Sequence, residues 1–178
     1  VSGPWIAGDI EELYSAGVQK VIIFGNCGVL DSKIEDCSII IPTKGFRDEG
    51  TSYHYVSPSE TIEINPDYKE DFIKILNEYN FDYTEGYTWT TDAFYRETND
   101  KIKYFKDNGA VCVEMEGTVI ASVSRRLNMK YFTFYYAGDN LDSTVWDKRS
   151  LEGPTNIDKK KEVLLLALEL AVVLNNYE

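Results

Sequence analysis

The sequence predicts an α/β fold: a three-layer α/β/α arrangement around a largely parallel, mixed central sheet. Two observations support this prediction. Continuously apolar segments such as Lys20–Phe24 (KVIIF) are too short for a helix, and their composition is typical of strands buried on both faces. These segments alternate with longer ones of helical periodicity, which is the order that covers both faces of a sheet with helices.

The first half of the chain alternates helix and strand. Pro4–Ala16 carries apolar residues at helical spacing and ends before a glycine, and its proline suits a first turn. The strand Lys20–Phe24 is followed by Gly25–Gly28 (GNCG), which we predict to be a tight turn. Ser38–Pro42 (SIIIP) predicts a second strand, whereas the polar and aromatic segment Arg47–Tyr55 predicts an ordered loop or strand edge.

The second half continues this alternation. Tyr68–Tyr79 is amphipathic and predicts a helix, and Asp82–Thr91 repeats with a period of two, as a strand does. The remaining predicted elements are a helix at Lys101–Asn108, a buried strand at Ala110–Val113, a helix at Gly117–Leu127, a strand at Lys130–Tyr136 and a helix at Ile157–Leu174.

Length and charge narrow the possible functions. With 178 residues the chain predicts a single domain over positions 1–178. It starts without Met and goes almost directly into a helix, so we expect its N-terminal part to be missing. The formal net charge of −12 repels phosphate backbones and anionic lipids, and we therefore expect no nucleic-acid partner and no membrane partner.

The cysteine and histidine content favours a reducing compartment and argues against a metal site. Three cysteines, an odd number without paired spacing, favour a reducing compartment, and we expect a cytoplasmic protein. One histidine and scattered cysteines do not give the ligand spacing of a zinc site. The chain also has no Walker A loop and no dinucleotide-binding Gly-x-Gly-x-x-Gly segment.

Polar residues follow three of the predicted strands. In open α/β sheets ligands bind beyond the carboxyl ends of strands, which places Gly25–Gly28, Glu114–Gly117 and Gly138–Asn140 where a ligand could contact them. Each segment also has a structural explanation, because glutamate can cap a helix, aspartate can close a turn and glycines can form one. Taken separately, these segments do not identify a function.

Six segments occur in a specific order through nearly the whole chain. They are Gly17–Gly28, Ile39–Pro42, Arg47–Ser52, Thr91–Tyr95, Val113–Glu116 (VEME) and Asp139–Asn140. In this order and spacing they resemble the nucleoside phosphorylase family, which includes uridine phosphorylases, hexameric purine nucleoside phosphorylases and methylthioadenosine nucleosidases. The resemblance implies the family fold and cleavage of the N-glycosidic bond of a purine or pyrimidine nucleoside by phosphate, giving free base and pentose 1-phosphate.

The resemblance also implies roles for individual residues. Glu116 matches the position whose carboxylate holds the ribose hydroxyls, and two acceptor oxygens suit a vicinal diol. Asp139 matches the catalytic acid that assists the leaving base, a role that needs a raised pKa. Further substrate-binding positions implied by the resemblance are Asn26, Cys27, Gly28, Phe94, Glu114 and Met115.

The nucleophile is less well defined. Where phosphorolytic relatives bind phosphate with an arginine and a serine or threonine, this chain has Ile23 and Asn26. Asn26 and Arg47 are therefore the candidate phosphate-binding residues. Because hydrolytic relatives also lack that arginine, a hydrolytic nucleosidase stays open, as does a non-catalytic family member or fragment.

Base preference and assembly are also open at this stage. Asp139 fits the purine-cleaving pattern, whereas Arg47–Ser52 resembles the uridine-cleaving members. The resemblance implies phosphate as co-substrate, no metal or organic cofactor, and a homo-oligomer, either a dimer or a hexamer.

Overall fold

The structure is a computed structural model that describes residues 2–151 and 153–176. Its elements in chain order are α1 (Gly3–Ser15), β1 (Lys20–Val29), β2 (Ile39–Asp48), a 3-10 helix (Thr51–His54), β3 (Thr61–Glu63), α2 (Lys69–Glu78), β4 (Tyr83–Thr91), a second 3-10 helix (Phe94–Arg96), α3 (Asn99–Asp107), β5 (Ala110–Glu114), α4 (Gly117–Leu127), β6 (Lys130–Asn140) and α5 (Ile157–Asn175). All five predicted helices are confirmed, each to within two residues at either end.

The six strands form one mixed sheet in the order β3-β2-β4-β5-β1-β6. Three pairs are parallel: β1 with β6, β2 with β4, and β4 with β5. The pairs β1 with β5, β2 with β3, and a short contact of β2 with β6 are antiparallel. The predicted α/β class with a mixed sheet is confirmed.

Helices cover both faces of this sheet. On one face α1 and α4 pack against the strands through an apolar cluster that includes Ile10, Val119 and Ile120. On the other face α2 and α5 pack through a larger cluster that includes Phe72 and Leu166. Burying one such side chain contributes roughly 1.5–3 kcal/mol, so the two clusters fix the helices and, with them, the loops at the strand ends.

The strand β1 extends further than the sequence predicted. Gly25–Gly28 is not a tight turn, and that prediction was wrong: the segment continues β1 and pairs with β6. Cys27 lies opposite Ala137 and Gly28 opposite Asp139, with a register shift between Cys27 and Gly28. A bulge of this kind re-aims the side chains that follow it. The pairing brings Gly28 and Asp139 together although they are far apart in sequence.

Other differences concern short or extended elements. β2 continues to Asp48 and β6 to Asn140, because each gains ladder partners that a hydropathy pattern does not reveal. The three-residue strand β3 and the 3-10 helix after β4 were not predicted, since neither is long enough to show a period. Throughout residues 2–151 and 153–176, no helix has both the length and the apolar character needed to cross a membrane.

Candidate active site

A cavity of about 680 Å³ lies beside the last residues of β1, β5 and β6 and the segment that follows β4. Eight of the predicted site residues line it: Asn26, Cys27, Gly28, Phe94, Glu114, Met115, Glu116 and Asp139. These residues come from four separate stretches of the chain, and the sheet pairing described above brings them together. Their individual roles stay predictions.

Glu114 is the most deeply buried carboxyl group of the cavity. Its Oε1 accepts hydrogen bonds from the hydroxyls of Thr88 (3.1 Å) and Thr90 (2.6 Å). Its Oε2 accepts the backbone N–H groups of Glu116 (2.7 Å) and Gly117 (2.6 Å) at the start of α4. Burial raises the pKa of Glu114, and these four hydrogen bonds oppose the rise. The contacts show a residue that fixes the turn from β5 into α4.

Glu116 stands on that turn, as the residue preceding α4. It is half-buried at the cavity, and its backbone N–H is held by Glu114. Burial, followed by the negative charge of Glu114, raises the pKa of Glu116 to about 7. A carboxyl group with this pKa is partly ionised at neutral pH, and hydrogen-bond donors from a ligand would favour its ionised form.

Asp139 faces the same cavity from the end of β6. Its Oδ2 accepts a hydrogen bond of 2.7 Å from the indole N–H of Trp146. Burial raises its pKa, and the bond from Trp146 opposes that rise. A raised pKa is the property that a proton donor in this position requires.

Two further features of the cavity come from the segment that follows β4. Phe94 is 52% exposed and stacks obliquely on Tyr95, with ring centroids 4.3 Å apart. An aromatic ring so open toward a cavity can be covered by a planar ligand. Glu97, which sequence reasoning missed, also lines the cavity, and burial followed by the charge of Asp139 raises its pKa to about 7. No motif marks Glu97 in the sequence, because a single acid in a loop resembles any solvated carboxylate.

Arg47 does not line the cavity. Its Nε donates to the Ser52 hydroxyl (2.8 Å), and its Nη1 donates to the Ser57 carbonyl (2.8 Å) and the Ser59 hydroxyl (2.9 Å). Its guanidinium carbon lies 4.0 Å from the centroid of the Tyr53 ring. These contacts hold the segment around the first 3-10 helix, and they give no support to the expectation that Arg47 binds phosphate.

The two positions around the expected phosphate site differ in their surroundings. Ile23 packs into the apolar cluster beneath α1 and α4. Asn26 is exposed and lines the cavity, where its amide can donate a hydrogen bond. Of the two predicted phosphate-binding residues, Asn26 and Arg47, only Asn26 lines the cavity, and it is therefore the better placed.

We expect Gly28→Ala to impair the cavity through shape alone. A Cβ at position 28 would lie 2.3 Å from Cδ1 of Leu141 and 3.1 Å from Oδ1 of Asp139. Leu141 must move, and Asp139 must give by a few tenths of an ångström. In the reaction that the resemblance implies, base release should fall at least ~10-fold while the protein stays folded, since displacing a reacting group slightly can cost orders of magnitude in rate. Gly25→Ala, where a Cβ meets nothing within 4 Å, is the matched control; equal rates in the two variants would contradict the prediction.

The pKa of Glu97 predicts how stability depends on pH. Its folded-state pKa of about 7 lies above the ordinary value of 4.5. The protonated Glu97 carboxyl group therefore contributes stability that is fully present below about pH 4.5 and is lost as the pH rises through 7. Glu97→Gln removes this titration. The variant should gain stability relative to wild type between about pH 5 and about pH 8, measured by urea unfolding. Parallel pH profiles for the two proteins would show that the prediction is wrong.

Comparison with known proteins identifies the family of this chain. The family model described as the Phosphorylase superfamily matches residues 10–172. A guanosine phosphorylase of Halorubrum lacusprofundi is 25% identical over 121 residues, which are 68% of this chain and 50% of that protein. A DeoD-type purine nucleoside phosphorylase of Bacillus cereus is 25% identical over 166 residues, 91% of this chain and 68% of that protein. The chain thus spans about half the length of the first relative and about two thirds of the second.

Solved structures show the same fold. The purine nucleoside phosphorylase of Toxoplasma gondii in complex with immucillin-H superposes with a TM-score of 0.86 at 16% identity, covering 100% of this chain and 73% of that one. The AMP nucleosidase of Bacteroides thetaiotaomicron gives a TM-score of 0.75 at 18% identity, covering 95% of this chain and 66% of that one. Because the family model matches most of the sequence, the chain belongs to the Phosphorylase superfamily.

Proposed function

We propose that this chain contributes the nucleoside-binding cavity of an enzyme that cleaves the N-glycosidic bond of a purine nucleoside with phosphate, giving free base and pentose 1-phosphate. One observation carries the proposal: Glu116 and Asp139, from separate segments, face one cavity that also has an aromatic ring at Phe94. The cavity has room for a small organic ligand, since such sites typically measure about 300–1,000 Å³.

The proposed chemistry follows from what these groups can do. As the bond between the sugar carbon and the base nitrogen breaks, its electron pair leaves with the base and the ribose becomes cationic. Asp139 gives its proton to the base, which lowers the energy of the departing anion. Glu116 accepts hydrogen bonds from the ribose hydroxyls and places negative charge near the developing cation. A phosphate oxygen then forms the new bond to the sugar carbon.

A purine substrate is supported by two findings. Asp139, with its raised pKa, is suited to protonate a purine leaving group, and it lies in the cavity. The relatives of this chain include proteins named guanosine phosphorylase and purine nucleoside phosphorylase. A cytoplasmic homo-oligomer, dimer or hexamer, stays part of the proposal.

Hydrolysis is the alternative that one observation favours. Ile23 stands where phosphorolytic relatives have an arginine, and it is packed into an apolar cluster. Among the described residues that line the cavity there is no lysine or arginine. Four carboxyl groups with raised pKa values line it instead, those of Glu97, Glu114, Glu116 and Asp139. Water, being uncharged, would enter such a site more easily than a phosphate dianion.

Base release with and without phosphate tests both reactions. The full-length protein is incubated with inosine, guanosine, adenosine and uridine, and free base is measured. Phosphorolysis predicts release of purines that requires phosphate and yields pentose 1-phosphate. Release that is independent of phosphate supports hydrolysis, and the absence of release from every nucleoside contradicts the proposed activity.

We expect Glu116→Gln to weaken ribose recognition. The amide keeps the shape but loses the charge and one acceptor oxygen, so discrimination between guanosine and 2′-deoxyguanosine, measured as the ratio of kcat/KM values, should fall at least ~10-fold. Glu12→Gln makes the same chemical change on the exposed face of α1 and is the control. An unchanged ratio in Glu116→Gln would remove Glu116 from ribose binding.

A further inference from the structure

The carboxyl groups of the cavity differ in the number of hydrogen bonds that they accept from the protein. Glu114 accepts four hydrogen bonds from the protein, and Asp139 accepts one from Trp146. Glu97 lines the same cavity and is half-buried, but within the described part of the chain no group donates a hydrogen bond to its carboxylate or forms an ion pair with it. A partly desolvated carboxylate without donors is costly, and a ligand that supplies donors would relieve that cost.

The position of Glu97 places it at the base-binding end of the cavity. Glu97 directly follows the second 3-10 helix, and its backbone N–H donates to the carbonyl of Phe94 at 3.2 Å. The carboxylate and the aromatic ring therefore belong to the same turn. Asp139 lines the same cavity, and its negative charge contributes to the raised pKa of Glu97.

Nucleobases differ in the donors that they can offer to a carboxylate. Guanine presents N1–H and the 2-amino group side by side, which matches the two oxygens of one ionised carboxylate. Adenine presents the acceptor N1 beside its 6-amino group, so one carboxylate oxygen would meet a lone pair. Hypoxanthine offers N1–H without the neighbouring amine. The unpartnered carboxylate therefore favours guanine among the common purines.

We infer that Glu97 is a specificity-determining residue that accepts hydrogen bonds from N1–H and the 2-amino group of a guanine base. The inference rests on the proposed function, because it places a purine beside Phe94. N7 of guanine lies on the imidazole ring, so Asp139 can contact that nitrogen while Glu97 accepts from the separate edge that carries N1–H and the 2-amino group. The substrate class is then a 2-amino-6-oxopurine nucleoside.

Glu97→Gln tests the inference because the amide presents one donor and one acceptor. That pattern matches the N1 and 6-amino edge of adenine and puts an N–H group against an N–H donor of guanine. Binding of 9-methylguanine and 9-methyladenine, which have no glycosidic bond to cleave, is measured by calorimetry on the full-length wild type, on Glu97→Gln and on the control Glu12→Gln. The wild type and Glu12→Gln should prefer 9-methylguanine, and Glu97→Gln should lower that preference at least ~10-fold.

The outcomes separate this inference from the proposed function. An unchanged preference in Glu97→Gln, or a wild type that does not prefer 9-methylguanine, overturns the role of Glu97. A wild type that prefers 9-methylguanine through Glu97 but releases no base from guanosine supports the role of Glu97 and contradicts the proposed function alone.

Discussion

We expect Asp139→Asn to lower the proposed purine release at least ~10²-fold, the low end of what general acid catalysis contributes. Asparagine keeps the size of the side chain, and its carbonyl oxygen can still accept the hydrogen bond that Trp146 donates at 2.7 Å. What it lacks is a proton to give to the leaving base. The loss should therefore appear in kcat, with KM changed much less.

The measurement compares single-turnover base release by wild type and Asp139→Asn, with Asp9→Asn on the exposed surface of α1 as the matched control. Circular dichroism checks that each variant is folded. A near-normal rate in Asp139→Asn would remove Asp139 from the mechanism, and an equal loss in Asp9→Asn would show that the effect is not local to the cavity.

The second large effect is on stability. Glu114→Ala leaves four buried donors, two threonine hydroxyls and two backbone N–H groups, without their acceptor. Each buried donor without a partner costs about 1–3 kcal/mol, so the free energy of unfolding should fall by at least ~3 kcal/mol. Because the turn before α4 also carries Glu116, we expect base release to fall with it.

Glu114→Gln is the matched variant for this prediction. Its carbonyl oxygen can still accept the N–H groups of Glu116 and Gly117, and threonine hydroxyls can rotate to accept from its amide. It should therefore lose less stability than Glu114→Ala in urea unfolding. If Glu114→Ala is as stable as wild type, Glu114 does not hold this turn, and the direct substrate contact implied by the resemblance becomes the better explanation.

Much of the fold follows from local patterns. The helix α4 was predicted at its observed bounds, because an amphipathic period runs from Gly117 to a basic last turn at Arg125 and Arg126. The convergence of Glu116 and Asp139 was also predicted, since ligands of α/β sheets bind at strand ends and the two residues follow different strands.

Other features depend on contacts that a sequence does not display. Gly25–Gly28 has the composition of a turn and yet forms strand, because pairing with β6 outweighs local preference. In the VEME segment Glu114 and Glu116 look equivalent. In the structure, however, the Glu114 carboxylate accepts hydrogen bonds from the Thr88 hydroxyl and from the backbone N–H of Glu116. Glu97 carries no sequence motif, and it is a candidate only because the 3-10 turn places it in the cavity that Asp139 also lines.

A crystal structure of the full-length Asp139→Asn protein soaked with guanosine would show whether this cavity binds the nucleoside through Glu116 and residue 139. We expect the ribose hydroxyls within hydrogen-bond distance of the Glu116 carboxylate, the purine against Phe94, and its imidazole ring facing residue 139. Guanosine bound elsewhere, or a ribose that does not contact Glu116, would contradict it.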